Sequence, residues 1–313
     1  MRRSVLIFIL ISIVSVIILP ARTLKSQTYP SRPIQIVSPH EPGSTGDIAI
    51  RPFADELRNV LNTPIIVVSK PGAAATLGTD LVVKSKKDGY TILYVGPSAV
   101  VYSRASNPEQ LPYDPDKDLE PLGLYCFSPT CLTVQESSAL KTFSDMIAFA
   151  KKNPGALRVG IPGSPGSIES FNLEIIQSLA GTQFNMVPFK GGGAAVSALL
   201  GGHVDALRIA NNIVVPHVKA GKVRILLLTK KMREYADVPT ITELGYKQDL
   251  LIPWFAFYGP AGLPEEVKRV LISAIEKTVK NPELQTKIEK LGFIVERQHL
   301  HHHQLKRRQA HGE

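Results

Sequence analysis

Ser38-Pro39-His40-Glu41-Pro42-Gly43-Ser44-Thr45-Gly46-Asp47 follows an apolar run (Ile34, Ile36, Val37) and precedes a helical one (Ile50, Phe53, Leu57, Leu61). The stretch reads as a strand-to-helix loop. Rich in glycine and hydroxyl side chains, it leaves backbone N–H groups free at a helix N-terminus, where the macrodipole is positive and an anion is welcome. A second loop of the same kind, Gly160-Ile161-Pro162-Gly163-Ser164-Pro165-Gly166-Ser167, follows another strand-like run (Leu157, Val159) and again leads into a helix. Two such loops point to one small anion held between them.

Around these loops, short apolar strands alternate with helical periodicity, the pattern of an α/β fold with a largely parallel sheet. Strands are expected at Ile34–Val37, Ile65–Val68 and Thr91–Val95, then at Leu157–Val159, Phe184–Val187, Ala206–Ile209 and Val223–Leu228. Pro52 lies five positions beyond Asp47 and would cost a helical hydrogen bond and crowd the carbonyl of Ile48, which favours a helix start later than Asp47. Asn107–Asp118, rich in proline and acid, reads as a surface excursion rather than an element. Thr142 with Asp145 three residues later forms a capping-box pattern, and that helix stops at Asn153-Pro154-Gly155. Trp254-Phe255-Ala256-Phe257-Tyr258 reads as core, one face buried by alternation. The order fits two α/β units joined by two extended crossings, with ligands at the carboxyl ends of the strands.

The net charge of the 313-residue chain is +9. Four of the basic residues, Arg2, Arg3, Arg22 and Lys25, fall in residues 1–26; without them 32 basic residues face 27 acidic ones, a net of +5. No basic stripe interleaved with aromatics marks a nucleic-acid face, so no nucleic-acid partner is expected. Residues 1–26 run from Arg2-Arg3 through an apolar stretch, Val5 to Leu19, into a polar segment, the order of a secretory signal. The apolar stretch is shorter than the roughly 20 residues that span a bilayer. Export to the periplasm is expected. No clean A-x-A site occurs, so an uncleaved anchor stays open. Cys126 and Cys131 do not have the spacing of a zinc knuckle or a redox pair. In an extended strand their Cα atoms would stand about 16 Å apart, and a disulfide would require a reversal at Ser128-Pro129.

Several residues invite sharper readings. Lys190 before Gly191-Gly192-Gly193 has the wrong order for a phosphate loop and reads as a turn lysine, and nucleotide binding is rejected. His203 and His217 have no carboxylate or cysteine at ligand spacing and read as turn and helix-end residues. The cluster His299, His301, His302 and His303 reads as part of a disordered tail. No metal or cofactor is expected. Asp47 either meets a ligand amine or water, or caps a helix, and its place in the loop favours the contact.

By these residues the sequence resembles the substrate-binding receptors of tripartite tricarboxylate transporters, the Bug receptors. The resemblance runs from about Tyr29 to Phe293. It is carried by Pro42-Gly43-Ser44-Thr45-Gly46-Asp47-Ile48, Lys70-Pro71-Gly72-Ala73, Asp88-Gly89-Tyr90-Thr91, Leu111-Pro112-Tyr113-Asp114-Pro115, Pro188-Phe189-Lys190-Gly191-Gly192 and Pro216-His217-Val218-Lys219-Ala220-Gly221. It implies a periplasmic-binding-protein-like fold of two α/β domains, here 27–125 with 237–297 and 126–236, after a signal at 1–26 and before a polar tail at 298–313. It also implies a monomer that closes on a small carboxylate, or a related amide or aromatic acid, and delivers it to a membrane permease. Backbone amides of two opposed loops and ordered water would hold the carboxylate, so that clamping rather than any single residue sets affinity.

Mapped onto this chain, the ligand-binding set is His40, Ser44, Thr45, Gly46 and Asp47 in the first loop and Ser164, Gly166 and Ser167 in the second, with Ser98 and Asn211 beside them. The chain departs from the family pattern at His40, where an aromatic is common; at Ser44, for a glycine; at Pro162 and Pro165, in a second loop one residue longer; and at Ser170, for a histidine. Two other classes stay open: an exported hydrolase using Ser44 or Ser164 with His217 as base, and a ligand-sensing partner of a membrane sensor. No G-x-S-x-G or H-E-x-x-H accompanies those residues.

Overall fold

A computed structural model describes residues 29–106, 109, 111–163 and 167–295. The expected signal segment, the histidine-rich end, and Ser164 and Gly166 lie outside the described residues. All elements below belong to the unit Arg32–Glu313.

The chain builds the same five-stranded pattern twice. Strands β1 (Ile34–Ser38), β2 (Ile65–Ser69) and β3 (Thr91–Val95) pair in parallel, with helix α1 (Thr45–Leu61) between the first two and α2 (Thr76–Val83) between the next. Strand β4 (Leu119–Phe127) ends this first sheet, and β5 (Thr130–Gln135) already belongs to the second. There α3 (Phe143–Lys152), β6 (Arg158–Pro162), α4 (Ile168–Ala180), β7 (Asn185–Phe189), α5 (Gly192–Leu200), β8 (Ala206–Ala210), α6 (Asn211–Lys219) and β9 (Val223–Leu228) follow in order. The chain returns to the first sheet as β10 (Trp254–Pro260) and finishes with α7 (Glu265–Lys280) and α8 (Pro282–Lys290). The two sheets run β2-β1-β3-β10-β4 and β7-β6-β8-β5-β9. In each, the strand delivered by a crossing, β10 or β5, is antiparallel to both neighbours.

The extended run Leu122–Val134 is therefore two strands in two sheets, and the first crossing is Ser128-Pro129, beyond the expected boundary at 125. The chain does not reverse there, and Cys126 and Cys131 are buried free thiols. The second crossing also comes later than the expected 237. Ile241 and Leu250 pack into the second sheet's core beside Leu157 and Leu227. Leu228 donates to the Pro239 carbonyl at 2.9 Å, and the Asn172 side chain bonds the Leu251 backbone at both ends, 2.8 and 2.9 Å. Apolar side chains scattered at 241 and 250 carry no period that assigns them to one core. The two crossings are tied together, since Ser128 donates to the Pro253 carbonyl at 2.7 Å.

Helix α1 runs through Pro52, against the expected later start, because its apolar stripe outweighs the proline. Ile50, Phe53 and Leu57 are fully buried, each contributing about 1.5 to 3 kcal/mol, against roughly 3 kcal/mol for the lost bond and the clash. Phe53 stacks on Phe257 with centroids 4.4 Å apart, and the Tyr125 hydroxyl donates to the Ala49 carbonyl at 3.1 Å, which seats the helix on the sheet. β10 is buried at all seven positions, not on one face; it lies between β3 and β4, where both faces of the sheet are covered. The capping box at Thr142 and Asp145 is present. Asn107–Asp118 is not wholly irregular: Asp114 accepts from Asp116 N and opens a helical turn, Pro115–Asp118.

Candidate functional site

A cleft of about 1080 Å³ opens at the carboxyl ends of the parallel strands of both sheets. The loops after β1, β3, β6 and β7 supply its walls, and Ser128 and Pro253, from the two crossings, its base. Helix N-termini surround it because each such loop turns directly into a helix: α1 at Thr45, α4 at Ile168, α5 at Gly192. Ser44 caps α1 by accepting from Asp47 N at 3.5 Å, and Ser167 caps α4 by accepting from Ser170 N at 3.3 Å. Gly191 gives α5 no side-chain cap. Its first amides, with Gly191, Gly192 and Gly193 on the cleft wall, are left for another acceptor.

Of the expected set, His40, Ser44, Thr45, Gly46, Ser98 and Ser167 line this cleft. Asp47 does not. It is the third helical residue, buried, and both its oxygens are engaged: Oδ2 accepts from Gly43 N and Arg51 Nε at 2.9 and 3.0 Å, Oδ1 from Arg51 at 2.8 Å. Asp47 thus holds the loop through Gly43 and Arg51. Asn211 is also turned away; it is fully buried and its Nδ2 faces the Met232 sulfur at 3.5 Å. The neighbouring Asn212 does not line the cleft either, but its Oδ1 accepts from Thr45 Oγ1 at 3.3 Å, joining the first loop to α6. A helix start at 211 rotates the two adjacent side chains about 100° apart, which the sequence spacing does not reveal.

His40 stands among aromatic rings. Its centroid is 5.7 Å from Tyr94 and 5.2 Å from Phe255, both edge-on, and the missing Cβ of Gly46 leaves room for its ring. Burial lowers its pKa to about 4 against a smaller opposing pull from Asp47, so the imidazole is neutral at physiological pH. Its Nε2 and the Ser128 hydroxyl, both on the cleft, are buried without a hydrogen-bond partner. Ser170 is buried behind the wall, its hydroxyl donating to the Ser167 carbonyl at 2.8 Å. His203 and His217 lie away from the cleft, so Ser44 has no imidazole base from His217.

Sequence reasoning missed the loop at Ala73-Ala74, Tyr102 and Ser103 beyond the expected Ser98, Glu169, and the glycines after Lys190. Ala73, Ala74 and Ala75 occupy positive φ (46°, 52° and 75°), a conformation alanine rarely adopts and which clusters at functional sites. No composition signal marks it. The glycine run after β7 did carry a signal, namely a strand-to-helix turn like the first two; only its phosphate-loop reading fails.

Comparisons with known proteins agree with this architecture. The family description "Tripartite tricarboxylate transporter family receptor" matches residues 49–308. Protein BugT of Bordetella pertussis is 31% identical over 291 residues, covering 88% of this chain and 89% of its own. Among solved structures, the periplasmic binding protein BugD superposes with a TM-score of 0.76 at 26% identity, over 90% of this chain and 94% of its own. MatC from Rhodopseudomonas palustris with bound malate gives 0.76 at 26%, over 90% and 97%.

Proposed function

The chain belongs to the tripartite tricarboxylate transporter receptor family, a family of solute-binding receptors, and we propose that it works in the periplasm, capturing a small carboxylate in its cleft and presenting it to a membrane permease. The observation that carries this reading is that the uncapped N-terminus of α5 and the Ser44-Thr45-Gly46 loop line the same cleft. Amides aimed into a cavity without an acceptor, at the positive ends of helices, favour a carboxylate without requiring a basic side chain. Malate in MatC is a ligand of that chemistry. Each exposed helix-terminus contact is worth only about 0.3 to 1 kcal/mol, so burial of the ligand between the walls must supply the remainder. Among the described residues no helix is long and apolar enough to cross a membrane; the membrane partner is the one the family description names as a transporter.

Thermal unfolding against mono-, di- and tricarboxylates and their amides tests the receptor reading. A bound ligand at a hundred times its dissociation constant adds about 2.7 kcal/mol. A rise of a few degrees with one chemical subset is expected; cooperative unfolding that no carboxylate shifts would overturn it. Co-purification with permease subunits only when that ligand is present is the expected result for the partner.

A further inference from the structure

A cation in the core of the second sheet stands without a partner. Arg208 on β8 is fully buried, and none of its three guanidinium nitrogens has a hydrogen-bond partner. Arginines nearer the surface are better provided: Arg51, Arg158 and Arg224 hold the carboxylates of Asp47, Asp205 and Glu136. Burial lowers the pKa of Arg208 to about 10, so it keeps its charge at physiological pH. A charge taken out of water and left unpaired is among the costliest features a core can carry.

Strand alternation shows where this side chain points. Leu207 and Ile209 enter the core beside α5 and α6, whereas Ala206 belongs to the core beneath α3 and α4. Arg208 lies on the Ala206 side, opposite Leu132 of β5, which belongs to that same core. The next pair on this face, toward the cleft, is Ala210 with Thr130. Thr130 is thus a diagonal neighbour of Arg208, with Cα atoms about 7 to 8 Å apart, a span that a long side chain covers. Thr130 is fully buried and its hydroxyl also lacks a partner. Two residues earlier, Ser128 brings another buried, unpartnered hydroxyl to the base of the cleft.

We propose that Arg208 and Thr130 form a binding site for a small monovalent anion, of which chloride is the type, reached from the base of the cleft past Ser128. Every group the site offers is an N–H donor or a hydroxyl able to donate, which is the chemistry of an anion site. One guanidinium balances one negative charge. Its atoms are closed off on all sides as the side chains stand, so only a small ion is seated, by a shift of the flexible arginine side chain. Sulfate and phosphate bring a second charge and too much volume. Neither Arg208 nor Thr130 lines the cleft, so the site is distinct from the ligand-binding loops and does not depend on the receptor reading.

Thermal unfolding at fixed ionic strength, with chloride exchanged for gluconate, tests the site. The native chain is expected to gain about 3 °C between about 1 mM and about 150 mM chloride, saturably. Bromide is expected to replace chloride, and sulfate is not. Arg208→Met occupies similar space without the charge; it is expected to lose the chloride dependence and to unfold in gluconate no lower than the native chain. A chloride gain that persists in Arg208→Met belongs to the helix N-termini on the cleft and overturns the assignment. Equal stability of the native chain in chloride and gluconate does the same. Crystals of the native chain grown with bromide decide the matter if the variant does not fold. An anomalous peak beside the guanidinium upholds the site; a guanidinium paired with the Glu169 carboxylate, or with water alone, refutes it. Carboxylate ligands of the cleft are expected to stabilise the native chain and Arg208→Met alike, which keeps this outcome separate from that of the receptor reading.

Discussion

Acidification should weaken this protein through His40, and the size of the effect follows from where the ring sits. Its pKa is lowered to about 4 by burial against Tyr94 and Phe255, from an ordinary 6.5, with Asp47 opposing. The unfolded chain thus takes up a proton near pH 6.5 that the folded chain refuses until about pH 4. Stability rises with pH wherever the unfolded state binds more protons. Above roughly pH 7 both states are neutral at this site and it contributes nothing; as the pH falls from about 6.5 toward about 4 the folded state loses ground. Between about pH 7.5 and pH 5 the loss is about 2 kcal/mol, the difference in proton uptake integrated over that window. For a chain of this length that is about 4 °C in unfolding temperature. Other groups titrate over the same range, so the measurement is a comparison: urea unfolding of the native chain and of His40→Phe, which keeps a ring among the aromatics and removes the titration. The native chain should lose about 2 kcal/mol more than the variant between the two pH values. Equal losses would refute the reasoning, because they would mean that the imidazole is protonated as easily in the folded protein as in the unfolded one.

Two further perturbations probe the same walls. Gly46→Ala puts a methyl group against the His40 ring, 2.5 Å from Cδ2; forcing a ring that is itself packed on Phe255 should cost about 1 to 3 kcal/mol and reduce ligand-induced stabilisation, read by thermal unfolding with and without ligand. An unchanged unfolding temperature would show that the ring has free space. Thr45→Val and Asn212→Ala each remove one side of the 3.3 Å bond between the first loop and α6; a double-mutant cycle should return a coupling of about 0.5 to 1 kcal/mol in the free protein, and additive losses would show that the bond contributes nothing.

Periodicity and turn chemistry alone carried most of the architecture. Ile50, Phe53 and Leu57 at helical spacing, the strand runs that open at Ile34, Ile65 and Thr91, and the glycine-hydroxyl loops between strand and helix are local patterns, and local patterns survive in a single sequence because each follows from the geometry of one element. The order of the elements already fitted two α/β units joined by two crossings, and the family blocks implied the same fold. The site was only half legible. Ser44, Thr45 and Gly46 face the cleft because they sit in the loop itself, whereas Asp47, one step along, is already turned inward by the first helical turn and tied to Gly43 and Arg51. Asn211 and Asn212 differ only by that same rotation. Which core Ile241 and Leu250 join, whether β10 is covered on one face or two, and which charges come to stand around the cleft depend on residues far apart in the chain. Burial, electrostatic sign and the identity of neighbours are properties of packing; no periodicity encodes them, and only the tertiary structure decided that Glu169 lines the cleft while Arg208 is fully buried.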